Sequence, residues 1–165
     1  MDQKTQLYPG DKIRFLTDLL RKQTDLRNQI ESRANIAIGF SAAILAFILN
    51  NLLEKGLTLS TITLTITAVL SIVSGLLALK PPQFLSRNVK EQSVFYNTAI
   101  ANNSAESYLK QVRNICNNEE EVVKQYTLEV YNLTRYSIRF KKLFTNLSIQ
   151  ILVLGLISGV LLTLI

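Results

Sequence analysis

The sequence predicts an all-α integral membrane protein with three transmembrane helices and a cytosolic helical stalk. Two observations lead to this fold class. Three windows contain no charged residue, at 34–53, 57–79 and 143–165, and each is long enough to cross about 30 Å of hydrocarbon as a helix. Nearly all charged residues lie instead in 1–33 and 80–142. A helix of this length in the core of a soluble protein would usually show a polar face, and none of these windows carries an ionisable side chain.

The basic residues predict how the chain is oriented. Of the 18 Lys and Arg residues, seven precede the first span, one follows it at Lys55, and ten lie between the second and third spans. Because basic residues concentrate on the cytoplasmic side of a membrane, we expect the N-terminus and 83–142 in the cytoplasm and the C-terminus outside. The net charge of +6 therefore indicates topology and contact with the lipid bilayer, and we expect no nucleic acid polymer as partner.

The residue types exclude several kinds of chemistry. The chain contains no histidine, and Cys116 is its only cysteine, so the commonest general base, the commonest zinc ligand and an intrachain disulfide are all missing. We predict no catalytic residues, no metal site and no cofactor, and we expect that the protein is not an enzyme. The spans also lack the ionisable groups that proton-coupled transporters and pumps carry at depth, which argues against active transport.

The N-terminal part is predicted to be a tail over 1–10, with Asp11 as the N-cap of an amphipathic helix over 11–33. No proline or glycine interrupts this helix before the first span over 34–53, which is expected to act as the insertion signal. At the junction lies a membrane-entry motif, Glu31-Ser32-Arg33-Ala34. We expect Arg33 to reach the lipid head groups or to pair with Glu31 or with a charge near Arg139 to Lys142.

Small residues predict where the spans pack closely. The first span contains Gly39 and Ala43 at a spacing of four, and the third contains Gly155 and Gly159 at the same spacing. Small side chains let helix backbones approach each other in lipid. For Gly39 and Ala43 there are two interpretations, packing within the chain and a dimer face, and packing within the chain is favoured.

The second span, 57–79, is rich in hydroxyl groups. On a helix, one stripe of this span collects five of them: Ser60, Thr63, Thr67, Ser71 and Ser74. The stripe has two interpretations, the lining of a pore in an oligomer and ordinary hydrogen bonding to the helix's own carbonyls or to a neighbouring helix. The second is favoured, because it is the usual role of such residues in membranes.

The segment 83–142 is predicted to form further helices. The second span should end at Lys80-Pro81-Pro82, because proline cannot continue a helix, and a helix over about 86–101 should follow. Two capping boxes are expected next: Asn103 with Glu106, and Asn118 with Glu121. From Glu119 no residue signals an end before the C-terminus. The cytosolic part of this last helix, ~36 Å long, matches the ~35 Å of 11–33, so we expect the two to pack as a stalk.

Several short motifs resemble a known family. The entry motif is similar, residue type by residue type, to the Asp-Thr-Lys-Ala step that opens the first span of the Pycsar transmembrane effectors of bacterial anti-phage systems. Four further motifs agree with that family: Lys80-Pro81-Pro82, Glu106-Ser-Tyr108-Leu109, Gln125-Tyr-Thr-Leu-x-x-Tyr131-x-Leu133 and Lys141-Lys142 before the last span. The resemblance extends over the chain from about residue 11.

The resemblance implies an effector in the bacterial inner membrane that a nucleotide second messenger activates during infection. It also implies that the effector impairs the membrane and halts growth. On this hypothesis we expect the spans to respond to the signal by oligomerising or opening, with identical chains as partners. In these 165 residues we expect no separate cyclic-nucleotide-binding domain, a departure from the family that argues against direct sensing of a cyclic nucleotide. The other interpretation is that a messenger binds the cytosolic helices, where we would test Arg113, Arg135 and Arg139. For each arginine, a solvated or topology-setting charge is the favoured interpretation. The alternative function is a small anchor that recruits a cytosolic partner through its stalk.

Overall fold

The computed structural model describes residues 9–80, 93–95 and 97–164, and every regular element within these ranges is a helix. We number the helices α1 to α6, with one π-helical turn before the last: α1 Pro9–Lys55, α2 Leu59–Leu79, α3 Asn97–Asn102, α4 Ala105–Cys116, α5 Glu119–Asn132, π turn Leu133–Ile138 and α6 Arg139–Thr163. Three helical stretches are long and apolar enough to cross a membrane. The predicted fold class, all-α with three transmembrane helices, is confirmed.

The chain divides into two compact units. We call Arg27–Ser86 with Ser137–Ile165 the membrane unit, and Met1–Leu26 with Arg87–Tyr136 the charged unit. Helix α1 contributes residues to both units. The π turn likewise begins in the charged unit and ends in the membrane unit.

Small and hydroxylated residues form the interior of the membrane unit. Apart from Lys141 and three glycines, its buried positions are alanine, isoleucine, serine or threonine: Ile30, Ala34, Ala37, Ser41, Ile48, Ser60, Ala68, Ser71, Ser74, Ala78, Ile138, Thr145 and Ser148. Most large apolar side chains of this unit point outward instead, such as Phe47, which is 70% exposed. This arrangement suits a membrane, because lipid solvates apolar side chains and helices associate there through close packing and hydrogen bonds.

The charged unit has a different interior. Among its described residues only Ser93, Gln125 and Asn132 are buried, and all three are polar. The side-chain oxygen of Gln125 accepts from the backbone N–H of Val94 at 2.9 Å, and its amide donates to Glu121 Oε1 at 2.9 Å. Ser93 donates to Glu129. Polar contacts of this kind, with half-buried apolar side chains around them, hold this unit together.

Local capping differs in detail from the predictions. Helix α1 begins at Pro9, so Asp11 lies in its first turn and is not the cap. The cap of α4 is Ser104 and not Asn103, because the Ser104 side chain accepts from the backbone N–H of Ser107 at 3.3 Å. Asn118 caps α5, but it accepts from the N–H of Glu120, while Glu121 is occupied by Gln125.

The last helix is not uniformly α-helical as predicted, because the π turn interrupts it at Leu133–Ile138. The predicted helix over 86–101 is also corrected, since 93–95 are not helical and α3 covers only Asn97–Asn102. The tail over 1–8, the prolines of the Lys80-Pro81-Pro82 step and the start of that predicted helix lie outside the described residues.

Candidate functional site

A buried lysine joins all three helices of the membrane unit. Lys141 of α6 is only 4% exposed. Its ammonium group lies 3.0 Å from Glu31 Oε1 on α1 and donates to the backbone carbonyls of Ala78 at 3.2 Å and Leu79 at 2.7 Å, at the end of α2. A lysine ammonium carries three protons, so each of its donors has one partner. We call Glu31, Lys141 and the end of α2 the lysine junction.

The lysine junction provides hydrogen-bond partners for the C-terminal end of α2. The last carbonyls of α2 have no partner within their own helix, and they carry the negative end of the helix dipole. An ammonium group placed among them satisfies two carbonyls and neutralises that partial charge. Glu31 in turn neutralises the buried ammonium, which would otherwise be costly to desolvate. The junction therefore fixes the end of α2 against both neighbouring helices.

Glu31 has a second partner and a perturbed pKa. Arg27 Nε donates to Glu31 Oε1 at 2.9 Å, one turn earlier on α1. Burial raises the pKa of Glu31, but hydrogen bonds from Lys141 and Arg27 outweigh burial, so the pKa lies below its ordinary value. Glu31 is therefore ionised at neutral pH, as the junction requires.

Deeper in the unit, three serines form a hydroxyl cluster with one member from each helix. Ser41 of α1, Ser71 of α2 and Ser148 of α6 are all 0% exposed. Ser71 Oγ donates to the carbonyl of Ser148 at 3.0 Å, and Ser148 Oγ donates to the carbonyl of Ser71 at 2.8 Å. Ser41 Oγ lies 2.9 Å from both Ser71 Oγ and the Ala37 carbonyl. These reciprocal bonds fix the register of α2 against α6.

Glycines bring α2 and α6 into close contact. A Cβ atom placed on Gly155 would lie 2.2 Å from Thr67 Oγ1, and one on Gly159 would lie 2.5 Å from Leu64 Cδ2. Ser60 Oγ also donates to the carbonyl of Gly159 at 3.0 Å. The predicted packing residues Gly155 and Gly159 thus lie directly against the second span, where no larger side chain fits.

The other predicted packing pair lies elsewhere. Gly39 and Ala43 are exposed, and no described atom comes within 4 Å of a Cβ placed on Gly39. The packing within the chain that the sequence favoured for this pair is therefore wrong. Helix α1 meets the other spans through a different stripe, which carries Ala34, Ala37 and Ser41.

The entry motif divides between the two sides of α1. Ala34 is fully buried and Glu31 belongs to the lysine junction, whereas Ser32 and Arg33 are exposed. The pairing of Arg33 with Glu31 considered from the sequence is not found, because Arg27 and Lys141 occupy that carboxylate. Arg33 has no ion pair among the described residues and instead borders an apolar groove of about 230 Å³ with Ile36, Ala37, Phe40, Ile149 and Leu152.

The hydroxyl stripe of α2 is used in two ways. Ser60 and Ser71 donate to carbonyls of α6, as described above, and Ser74 is also buried. Thr63 donates to the Leu59 carbonyl at 2.9 Å, and Thr67 donates to the Thr63 carbonyl at 3.0 Å. Within one chain the stripe therefore serves helix contact and internal bonding.

The three arginines predicted as ligand contacts have different surroundings. Arg113 is exposed on α4. Arg135, in the π turn, contacts the Tyr131 hydroxyl, and its guanidinium carbon lies 5.5 Å from the centre of the Tyr131 ring and 5.9 Å from that of Tyr136. Arg139 belongs to the membrane unit and lines a groove on α6. Arg113 and Arg135 thus lie in the charged unit, and Arg139 does not.

Sequence reasoning missed the residues that carry most contacts between helices. Lys141 was considered as a topology-setting charge, as part of the Lys141-Lys142 motif and as part of the charged stretch near Arg33, but not as a buried partner of Glu31. Ser41 and Ser148 were not singled out. One signal was present: Ala34, Ala37 and Ser41 follow each other at helical spacing, which marks a face of small residues as well as Gly39 and Ala43 do. Within the junction, and separately within the cluster, the polar atoms are bonded to one another. Together these contacts hold the three helices in one register.

Comparison with known proteins identifies the family. A model described as the Pycsar effector protein domain matches residues 15–165, which includes all three spans and the lysine junction. The chain belongs to the Pycsar effector family. It is therefore a membrane effector of bacterial anti-phage defence. No curated protein and no solved structure matches the chain.

Proposed function

We propose that this Pycsar effector impairs the integrity of the bacterial inner membrane when a nucleotide second messenger made during infection activates it. The observation that carries the proposal is the family match, which extends over the charged helices and all three spans as one domain. Membrane failure would stop growth of the infected cell before phage matures. The distribution of Lys and Arg supports an N-terminus in the cytoplasm and a C-terminus outside.

The charged unit is the proposed sensor. Its described buried residues are polar, so a rearrangement there would sacrifice little apolar burial and can occur at low free-energy cost. A messenger can drive the change only if it binds the two arrangements with different affinity. Arg113 and Arg135 are the proposed contacts for a cyclic nucleotide, because guanidinium groups bind phosphate in a bidentate manner. Arg139 belongs to the membrane unit and is therefore not part of the proposed sensor.

The membrane unit is the proposed effector. Helix α1 and the run from α5 to α6 continue from the charged unit into the membrane unit, so a shift along either helix would act on the lysine junction. Breaking the junction would leave a charge and two carbonyls without partners. We propose that several identical chains associate and that their spans then open the bilayer. On this proposal the protein is not an enzyme, and its action is mechanical.

A membrane-potential assay tests the proposal. The full chain is expressed in bacteria that carry a potential-sensitive dye, alone and with cyclic pyrimidine or purine nucleotides supplied by a co-expressed cyclase. We expect depolarisation that depends on the nucleotide. The variant with Arg113→Ala and Arg135→Ala should reach the membrane at the same level but depolarise less. A potential that stays intact under every condition, at equal protein level, would contradict membrane impairment and favour the anchor function.

A further inference from the structure

Two carboxamide side chains lie on the outer face of α6. Asn146 and Gln150 are exposed and line an open groove of about 440 Å³ with Arg139, Lys142, Leu143 and Leu147. Ser148, which belongs to the hydroxyl cluster, lies two residues from each of them and so on the opposite side of the helix, because two residues rotate a helix by about 200°. Asn146 and Gln150 therefore point away from α2.

The carboxamides lie at a depth where a single chain would leave them in hydrocarbon. Lys142 is the last charged residue of the chain, and Asn146 and Gln150 follow it by ~6 Å and ~12 Å along the helix axis. A membrane core about 30 Å thick has no water to solvate an amide. An amide without a partner is costly there.

Half-buried hydroxyl groups in the spans avoid this cost. Thr63 donates to the carbonyl of Leu59, Thr65 to that of Thr61, and Ser158 to that of Leu154. Asn146 and Gln150 make no hydrogen bond with any described residue, and no internal carbonyl takes their amides. In this they differ from the hydroxyl groups of Thr63, Thr65 and Ser158, which are bonded within their own helices.

The same face of α6 has the spacing of a helix contact. Its exposed residues recur at alternating steps of four and three: Arg139, Leu143, Asn146, Gln150, Val153, Ile157, Val160 and Leu164. This is the heptad pattern with which two helices pack side by side. Polar residues within such a seam fix register and the number of helices, and in membranes they add hydrogen bonds between helices.

We infer that this face of α6 is the contact between two copies of the chain, with Asn146 and Gln150 as its hydrogen-bonding residues. A carboxamide both donates and accepts, so each can pair with the same residue of a second copy across a two-fold axis along the membrane normal. Arg139 of each copy would lie at the polar edge, where salt and head groups screen repulsion. The inference rests on the proposed self-association but not on membrane impairment.

Cysteine cross-linking in membranes tests the contact. Cys116→Ser removes the only cysteine, and Asn146→Cys or Gln150→Cys is then added to the full chain. Leu70→Cys and Val73→Cys on α2 are the matched controls, because they are 49% and 48% exposed and lie at similar depth, as the contact of Ser71 with Ser148 shows. We expect oxidation to yield disulfide-linked dimers from both α6 variants and little from the α2 variants. Dimers from the α2 variants alone would place the contact elsewhere and overturn the inference while leaving self-association intact.

A second measurement examines the amides themselves. With Asn146→Leu and Gln150→Leu together, we expect the dimer dissociation constant in bicelles, measured by fluorescence energy transfer, to rise about tenfold, because interhelical amide bonds of this kind are worth that much between them. The swapped variant, Asn146→Gln with Gln150→Asn, should stay close to wild type. An unchanged dissociation constant in the leucine variant would overturn the inference. A wild-type chain that is monomeric throughout would overturn both the contact and the proposed self-association, whatever the potential assay gives.

Discussion

The membrane unit and the charged unit bury different kinds of residue. All described apolar residues that are buried, among them Ala34, Ala68 and Ile138, belong to the membrane unit. The charged unit buries only Ser93, Gln125 and Asn132 among its described residues and exposes Leu109 to 65%. In the membrane unit, hydroxyl groups and small residues pack closely between the helices. In the charged unit, a few side-chain hydrogen bonds join helices whose apolar side chains are only half-buried.

The difference indicates where this effector can change shape. Close packing resists small displacements, because the neighbours of a side chain leave no space for it to move. A unit with little apolar burial opens at lower free energy. We therefore expect the lysine junction and the hydroxyl cluster to keep the membrane unit in one arrangement until a shift along α1 or α6 breaks the junction, and the charged unit to carry the adjustable contacts.

The largest fall in the free energy of unfolding is expected when Lys141 is replaced. Lys141→Met leaves Glu31 without its main partner and the carbonyls of Ala78 and Leu79 without donors. Removing one member of a buried ion pair is strongly destabilising, and we expect the free energy of unfolding to fall by about 3 kcal/mol. This value is at the lower end of the range for such pairs, because Glu31 is 30% exposed. Detergent-induced unfolding in bicelles measures it. Lys142→Met, next in sequence but exposed, is the control; equal losses in both variants would remove the junction's special role.

A methyl group on one glycine tests the close packing. Gly155→Ala places its Cβ 2.2 Å from Thr67 Oγ1, so α2 and α6 must separate. Overpacking of this kind costs about 2 kcal/mol, measured as a lower free energy of unfolding. Gly39→Ala meets open space and should be neutral or slightly stabilising, because alanine favours a helix. If the two variants behave alike, α2 and α6 are not in close contact.

The hydroxyl cluster should contribute less to the free energy of unfolding than the lysine junction or the close packing at Gly155. Ser71→Ala removes the hydroxyl that lies between Ser41 and Ser148, and we expect a loss of about 1 kcal/mol, as for one interhelical bond in a membrane. Ser158→Ala removes a hydroxyl that donates to its own helix at Leu154 and should change the unfolding free energy very little. A larger effect from Ser158→Ala would contradict the role given to the cluster.

Acid should weaken the junction through Glu31. Because the pKa of Glu31 is lower in the folded chain than its ordinary value of 4.5, the carboxylate stabilises the folded state above that value. The contribution disappears as the pH falls through the lower, folded pKa. The unfolding free energy should therefore decline with pH below about 4.5. A Glu31→Gln variant should lack this part of the decline, and identical pH profiles for the two proteins would show that Glu31 does not contribute.

The smallest effect is expected on the surface of the charged unit. Leu109→Asn changes a side chain that is 65% exposed on α4, and its unfolding free energy should stay within about 0.5 kcal/mol of wild type. Leu154→Asn is the matched variant, 66% exposed on α6, and it should impair membrane insertion because lipid surrounds it. Protease protection in membrane vesicles measures insertion. Normal insertion of Leu154→Asn would show that this face does not meet hydrocarbon.

The spans and one helix cap could be predicted from the sequence. The spans were predictable because about 20 uncharged residues in a row satisfy a requirement of the bilayer alone. Asn118 was predictable as a cap, since the reason is local. The non-helical 93–95 was not predictable, because it depends on a partner distant in sequence, Gln125 for the N–H of Val94. The π turn at Leu133–Ile138 was not predicted either.

The sequence by itself determined three membrane helices, their charged flanks and the Pycsar resemblance, because each is a property of consecutive residues. Only the tertiary structure decided that Lys141 is buried while Lys142 is exposed, and that Gly155 packs closely while Gly39 does not. Neighbouring residues of like type differ here only in the direction in which their helix faces. That direction is set by the rotation of each helix against its neighbours, through contacts such as Ser71 with Ser148, and no local pattern encodes it.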